Sequence, residues 1–211
     1  MTEVQVFLVR HGETALNAAG VLRGQLDVPL DATGEAEALA LGALFREVPL
    51  SAVVSSPLRR ATDTARPIAS SSGAPVEIDD RLRDRYYGKW AGHSLEQVEE
   101  RFGSVDAVPF VEARRLLEAR VEEAFLDAIA AGAARSPRGT PSEAQQLGVV
   151  LVTHDAVIRT LLGRLLPALN LATVDLPTGS WTQLVSTPTG GWEALHLGEI
   201  PTSGRRPTLS A

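Results

Sequence analysis

The sequence predicts an α/β fold, with a mostly parallel central sheet sandwiched between helices and an antiparallel edge. Three observations carry that expectation. Short apolar runs at 4–9, 51–55 and 148–152 alternate with helical segments, the pattern of parallel strands covered on both faces. Segments 180–187 and 192–199 alternate around Thr189-Gly190-Gly191, a hairpin signal that adds antiparallel strands. Each of the three apolar runs stops at polar, chemistry-bearing residues, as expected where ligands bind at the strand ends of an open sheet.

The elements follow in order. Val4, Val6, Phe7, Leu8 and Val9 form a buried strand that ends abruptly at Arg10, His11 and Gly12. Residues 12–33 contain Gly, Asn, Asp and Pro without a clear period and predict a loop. A helix opens at Asp31 to Glu35 and runs to about Phe45, with Leu39, Leu41, Leu44 and Phe45 facing inward. Residues 51–55 are a short buried strand; Pro57 favours a helix opening there, continuing from Leu58 to about Ser70. Residues 75–78 are a third strand. Ser94 and Gln97 have capping-box spacing for a short helix to Phe102. A long helix spans Val111 to about Ala131, with apolar positions at Val111, Leu116, Leu117, Val121, Phe125 and Ile129. Residues 132–147 read as a mobile surface loop. Residues 148–152 are the most hydrophobic strand, expected at the sheet centre, and a helix from Ala156 to Leu166 follows.

At 211 residues and 44% hydrophobic content, the chain suits one domain over 1–200, with a small cap at about 84–110 and a disordered tail at 201–211. A net charge of −6 argues against nucleic acid as a partner, so any anion site must be a local concentration of arginine. The absence of cysteine excludes disulfides and thiolate metal sites. No apolar stretch approaches the ~18 residues of a membrane span, and no basic leader precedes the first strand, so a cytoplasmic protein is expected.

One theme occurs three times. Arg10 and His11 follow the first strand, Arg59 and Arg60 follow the second, and Thr153, His154 and Asp155 follow the strand at 148–152. In a parallel sheet these ends share one edge, so two histidines and at least two arginines can converge. Phosphoryl transfer through histidine needs this set. An unprotonated imidazole attacks phosphorus, guanidiniums neutralise the equatorial oxygens, a second histidine donates a hydrogen bond, and a carboxylic acid protonates the leaving alcohol. A metal site is the competitor for two histidines with carboxylates. The histidines lack i, i+4 spacing and arginines beside them would repel a cation, so no metal is expected.

Leu8-Val-Arg10-His11-Gly12-Glu-Thr14, with Asn17 and Gly24-Gln-Leu-Asp27-Val-Pro29-Leu30, resembles the signature of the histidine phosphatase (phosphoglycerate-mutase-like) superfamily, branch 1. Ser55-Ser56-Pro-Leu58-Arg-Arg60-Ala61-Thr-Asp-Thr64-Ala65 resembles its second block, with Ala61, Thr64 and Ala65 setting the register at Arg60. Leu82-Arg-Asp84-Arg-Tyr-Tyr87-Gly88-Lys-Trp90-Ala-Gly92 resembles the third, and Val152-Thr-His154-Asp-Ala-Val-Ile158-Arg159 the fourth. The resemblance runs from residue 4 to about 165. It implies a three-layer α/β/α sandwich with no metal or organic cofactor. It also implies His11 as the phosphorylated nucleophile, with Arg10, Arg60 and His154 lining the phosphate pocket. Asn17 would contact phosphate or hold the adjoining loop.

Departures from the family pattern leave alternatives open. The usual acid of the third block is glutamate; here it is Asp84, shorter by roughly one C–C bond, about 1.5 Å. Asp155 replaces the usual glycine after the second histidine, so it is a second candidate acid, although capping and the helix dipole also favour Asp at a helix start. The matching block favours Asp84, whose competing role is a helix cap or a pair with Arg83 or Arg85. Arg23 replaces a polar residue before the phosphate-loop glycine and either extends the anion pocket or points outward. Asn17 could form only an Asx turn. Arg59 is expected to be solvated, and Tyr86, Tyr87 and Trp90 to pack. Trp181 is expected in the core or pocket wall, and His93 and His196 have no supporting context. The Gly-Glu-Ser element degrades to Val111-Glu112-Ala113, with Glu112 keeping its spacing to Arg120.

The implied reaction is hydrolysis of a small phosphorylated substrate through phosphohistidine. Only Ser94 to Phe110 separates the third block from the long helix, and a short cap leaves the intermediate open to water. A cofactor-primed phosphoglycerate mutase and a non-catalytic phosphate-recognition protein are the alternatives. The hairpin at 180–199 could support a homodimer.

Overall fold

Alternating residues of a strand face opposite sides of its sheet, so a strand apolar at every position needs cover on both. That is the situation of β1 (Gln5–Arg10) over its four apolar residues, Val6 to Val9. The computed structural model describes residues 4–135 and 148–207. Within them β1 lies in a sheet with β2 (Leu50–Ser55), β3 (Val76–Ile78), β4 (Gly148–Thr153), β5 (Trp181–Ser186) and β6 (Trp192–Glu199). The order is β3-β2-β4-β1-β5-β6. β3, β2, β4 and β1 are mutually parallel, and β5 and β6 add the antiparallel edge. The apolar strand β4 sits inside the sheet between β2 and β1, as its sequence predicts.

The helices complete three layers. Phe7, Val9, Val53, Val150 and Val152 face Leu41 and Phe45 of the segment carrying α2 (Ala32–Leu44) and Ala61, Ala65 and Ile68 of α3 (Arg59–Ser72). Val6, Leu8, Ala52, Val54 and Leu151 face Leu117, Val121 and Phe125 of α5 (Arg114–Arg135) and Val157, Ile158 and Leu161 of α6 (Asp155–Leu165). Each buried large side chain contributes about 1.5–3 kcal/mol. A third cluster lies in the cap. Trp90, Val98 of α4 (Leu95–Phe102) and Val108 gather Leu22, Phe102, Val105 and Val111. The Ser94–Gln97 capping box is formed.

Several elements differ from the sequence expectation for identifiable reasons. The predicted loop at 12–33 contains a one-turn helix, α1 (Ala15–Ala18), closed by a Thr14–Asn17 capping box. Leu39 is 67% exposed because the inward stripe of α2 is Gly34, Ala38 and Leu41, from which position 39 is rotated away. Leu116 is exposed for the same reason on α5, which starts after Val111 and continues to Arg135. Residues 132–135 are therefore helical; 136–147 of the expected loop lie outside the described residues. Tyr86 is half exposed rather than packed, whereas Trp90 and Trp181 are buried. In the expected disordered tail, Pro201–Ser203 form a 3₁₀ turn and Arg205 pairs with Glu199 at 3.0 Å. Among the described residues no helix is long and apolar enough to cross a membrane.

Candidate active site

Because β2, β4 and β1 are parallel neighbours, their C-terminal ends reach one edge together. Backbone pairing continues one residue past the strands. His11 N–H donates to Thr153 O at 3.0 Å, and Ser56 N–H donates to Val152 O at 3.0 Å. His11, Ser56 and His154 are thereby fixed side by side, with the imidazole centroids 5.1 Å apart. Both histidines are buried.

The turn after β1 requires glycine. A Cβ on Gly12 would lie 2.5 Å from the Gly34 carbonyl oxygen, and one on Gly34 would lie 2.1 Å from Glu13 O. Gly12 N–H donates to Thr64 Oγ1 at 2.9 Å, and Glu13 N–H to Glu37 Oε2 at 2.8 Å, so α3 and α2 both grip the turn. His11 Nδ1 donates to Gly12 O at 2.7 Å. Its lone pair is consequently on Nε2, which accepts from Arg60 Nε at 3.2 Å.

Arg60 occupies the first turn of α3 and is fully buried. Its remaining nitrogens donate to Leu26 O (2.8 Å), Gly24 O (2.7 Å) and Asp84 Oδ2 (3.3 Å). Asp27, in the same loop, accepts Arg59 N–H at 2.6 Å and so ties that loop to the start of α3. Arg59 itself is exposed and pairs with Asp63. His154 Nε2 lies 2.8 Å from Ser56 Oγ, which also accepts Leu58 N–H at 3.3 Å. Arg10 donates through NH1 to Leu176 O and lies 3.6 Å from Asp155 Oδ1.

Electrostatics sort these groups. Burial, followed by the Arg60 charge, holds both imidazoles well below their ordinary 6.5, so they are neutral near pH 7. Burial pulls Arg60 down to about 10, and lowers Arg10 too, yet both stay charged. Burial raises the Asp84 carboxyl, against the pull of Arg60 and Arg23. Arg23 acts on His11, Arg60, Asp84 and His154 alike, which places its charge with the cluster; its NH1 donates to Val21 O at 3.1 Å.

Asp84 pairs with Arg60, not with Arg83 or Arg85; Arg83 binds Asp80 and Arg85 binds Asp106. Arg85 contributes only its backbone N–H, 2.8 Å from Asp84 Oδ1. Asn17 uses its amide oxygen to accept from Thr14 N–H and Oγ1, which leaves only its NH₂ end for a ligand. Asp155 is the first residue of α6, not its cap; His154 holds the cap position. The Asp155 carboxylate is 32% exposed and bonded to Arg159 Nε at 3.0 Å.

Three residues that the sequence motifs include without a role take supporting positions. Ser56 stands at a strand end as His11 and His154 do, and that shared edge was the available signal. Thr64 lies one turn beyond Arg60, within the second block. Arg120 binds Glu112 at 2.7 Å and donates to the carbonyls of Arg81, Arg83 (2.8 Å) and Asp84 (3.2 Å), so the retained Glu112 spacing serves to brace the backbone at Asp84. Among the described residues no three His, Cys, Asp or Glu side chains form a metal-holding group.

Two neutral imidazoles ringed by guanidiniums at the strand edge of an α/β/α sandwich define a protein that handles phosphoryl groups. The chain belongs to the histidine phosphatase superfamily (branch 1), whose family model matches residues 6–199. A glucosyl-3-phosphoglycerate phosphatase of Mycolicibacterium vanbaalenii is 31% identical over 204 residues, 90% of this chain and 83% of the relative. The probable phosphoglycerate mutase GpmB of an Escherichia coli strain is 34% identical over 173 residues, 77% of this chain and 75% of the relative. The native structure of a mycobacterial glucosyl-3-phosphoglycerate phosphatase superposes with a TM-score of 0.79 at 26% identity, covering 93% of this chain and 99% of the other.

Proposed function

We propose that this protein is a phosphomonoester phosphatase of a small phosphorylated metabolite, acting through a phosphohistidine on His11. The His11 tautomer carries the reading: with Nδ1–H spent on Gly12, the nucleophilic lone pair lies on Nε2 against Arg60. Arg60 Nε–H turns from Nε2 to a phosphoryl oxygen as substrate enters. Nε2 then attacks phosphorus as the ester P–O bond breaks. Arg10, Arg23, Arg60 and His154 Nδ1–H stabilise the equatorial oxygens, with the Ser56 hydroxyl donating to His154 Nε2 to hold that tautomer. Asp84 gives its proton to the leaving oxygen, then takes one from the water that cleaves the P–N bond. Asp84 suits this better than Asp155, since it is buried and raised while Asp155 is part-exposed between two guanidiniums.

The test is a phosphate-release panel that includes p-nitrophenyl phosphate, glucosyl-3-phosphoglycerate and sugar phosphates, run beside 3-phosphoglycerate with a bisphosphate primer. Phosphate release, lost in His11→Ala, supports the proposal; faster isomerisation of 3-phosphoglycerate overturns it in favour of a mutase. Asp84→Asn slows alkyl phosphates by about 10²–10⁴ but p-nitrophenyl phosphate far less, because a good leaving group needs no proton. If Asp155→Asn shows that pattern instead, the acid is misassigned.

A further inference from the structure

A closed ring of contacts lies just outside the phosphate cluster. Asp155 Oδ2 and Oδ1 accept from Arg159 Nε at 3.0 and 3.2 Å, one helical turn along α6. Asp155 Oδ1 also lies 3.6 Å from Arg10 NH1. The other end of Arg159 donates to Leu171 O at 3.0 Å and Val174 O at 3.1 Å. Those carbonyls fix the segment that presents Leu176 O, and Leu176 O in turn accepts Arg10 NH1. Arg10 is therefore held at NH1 by both a carboxylate and a carbonyl, and Arg159 anchors both. The Arg10 Nε is buried and without a hydrogen-bond partner among the described residues, which leaves that edge of the guanidinium for a ligand.

We propose that Asp155 and Arg159 are positioning residues that hold Arg10 for phosphoryl recognition. This rests on the reading above that Arg10 contacts the phosphoryl group. The pair also lines a groove of about 560 Å³ between α5 and α6 that includes Arg85, Arg114 and Thr160, so the device borders the space next to the reacting centre. Arg159 spends every nitrogen on protein acceptors, and its part is to anchor.

Charge alone predicts the opposite outcome to positioning, and this makes the inference testable. Removing a carboxylate beside an anion site should tighten anion binding by simple Coulomb attraction. If Asp155 instead positions Arg10, Asp155→Asn weakens vanadate and inorganic phosphate binding about tenfold, the scale of one lost charge-assisted hydrogen bond. It raises KM more than it lowers kcat, and keeps the wild-type dependence on leaving group. Arg159→Lys weakens the anion in the same direction, and the double variant is no worse than the more impaired single one. Tighter or equal vanadate binding by Asp155→Asn, or strictly additive losses, overturns the inference. Direct calorimetry with vanadate separates this from the phosphatase reading: weaker binding by Asp155→Asn than by wild type, when the wild-type protein turns over no ester, would sink the activity and leave the positioning role standing.

Discussion

Replacing Arg60 by methionine keeps the unbranched stem as far as the Nε position and removes the guanidinium. The variant loses bonds to Asp84 Oδ2, Gly24 O, Leu26 O and His11 Nε2, all within a site where Arg60 is fully buried. Removing one partner of a buried ion pair costs about 3–5 kcal/mol, since the other is left uncompensated. For a domain of this size each kcal/mol is worth about 2–4 °C, so Tm should fall by about 6–20 °C. Two titrations should move as well. Arg60 is the strongest charge depressing His11, so the His11 pKa rises toward 6.5 without reaching it, because burial is the larger cause. Arg60 is also the strongest influence lowering Asp84, whose carboxyl moves further up. A thermal melt at pH 7 and an NMR titration of the imidazole C–H resonances read both effects. A Tm within about 2 °C of wild type, with an unmoved His11 titration, would refute the idea that Arg60 is the hub of the site.

Three further outcomes follow from the same geometry. Ser56→Ala removes the partner of His154 Nε2, leaves a buried nitrogen unsatisfied at about 1–3 kcal/mol, and should lower kcat for p-nitrophenyl phosphate by up to about 5–150-fold; an unchanged kcat would free the hydroxyl of any role. Both histidines titrate below 6.5 when folded and near 6.5 when unfolded, so below that pH the unfolded chain binds more protons and stability falls. The slope is up to about 1.4 kcal/mol per pH unit for each histidine, opposed by Asp84 above about 3.9, where its raised carboxyl favours the folded form while protonated; urea melts between pH 7 and 5 should show a smaller slope for His11→Asn. Vanadate at 100 times its Kd should add about 2.7 kcal/mol, or about 5–11 °C in Tm, and a melt insensitive to vanadate would argue against an anion site in this cluster.

The strand-end constellation was legible because burial of apolar runs and the polarity of a parallel sheet are both local to the sequence. Three segments needed no contact information to be placed at one edge. Helix faces were less legible where a leucine fell off the stripe, as at Leu39 and Leu116, since an apolar residue is tolerated on a surface. The helix that the sequence predicts from Ala156 starts one residue earlier, at Asp155, the usual uncertainty of a helix boundary. The bracing of Asp84 by Arg120, and of Arg10 by Arg159 through Leu176, was invisible in sequence. Each depends on a side chain reaching backbone carbonyls of a segment that only the tertiary fold brings near.

The arginines of this site have two effects that reinforce each other. A histidine can attack phosphorus only with its lone pair free, and near pH 7 an ordinary imidazole is partly protonated. Here Arg60, Arg10 and Arg23 penalise a proton on His11, in addition to burial, so in the proposed mechanism the charges that would attract a phosphate also keep the attacking lone pair free. They also fix the charge balance. Arg10, Arg23, Arg60 and Arg159 stand against two carboxyls, Asp84 and Asp155, while the neutral histidines contribute no charge, so counting both carboxylates as charged leaves an excess of about two positive charges, which suits a phosphate dianion. In the proposed mechanism Asp84 holds its proton as substrate binds, which raises that excess and favours the dianion, and its ionisation on proton transfer lowers it again. A chain with net charge −6 therefore concentrates its cations where the chemistry uses them, and the acidic remainder of the molecule favours no polyanion elsewhere.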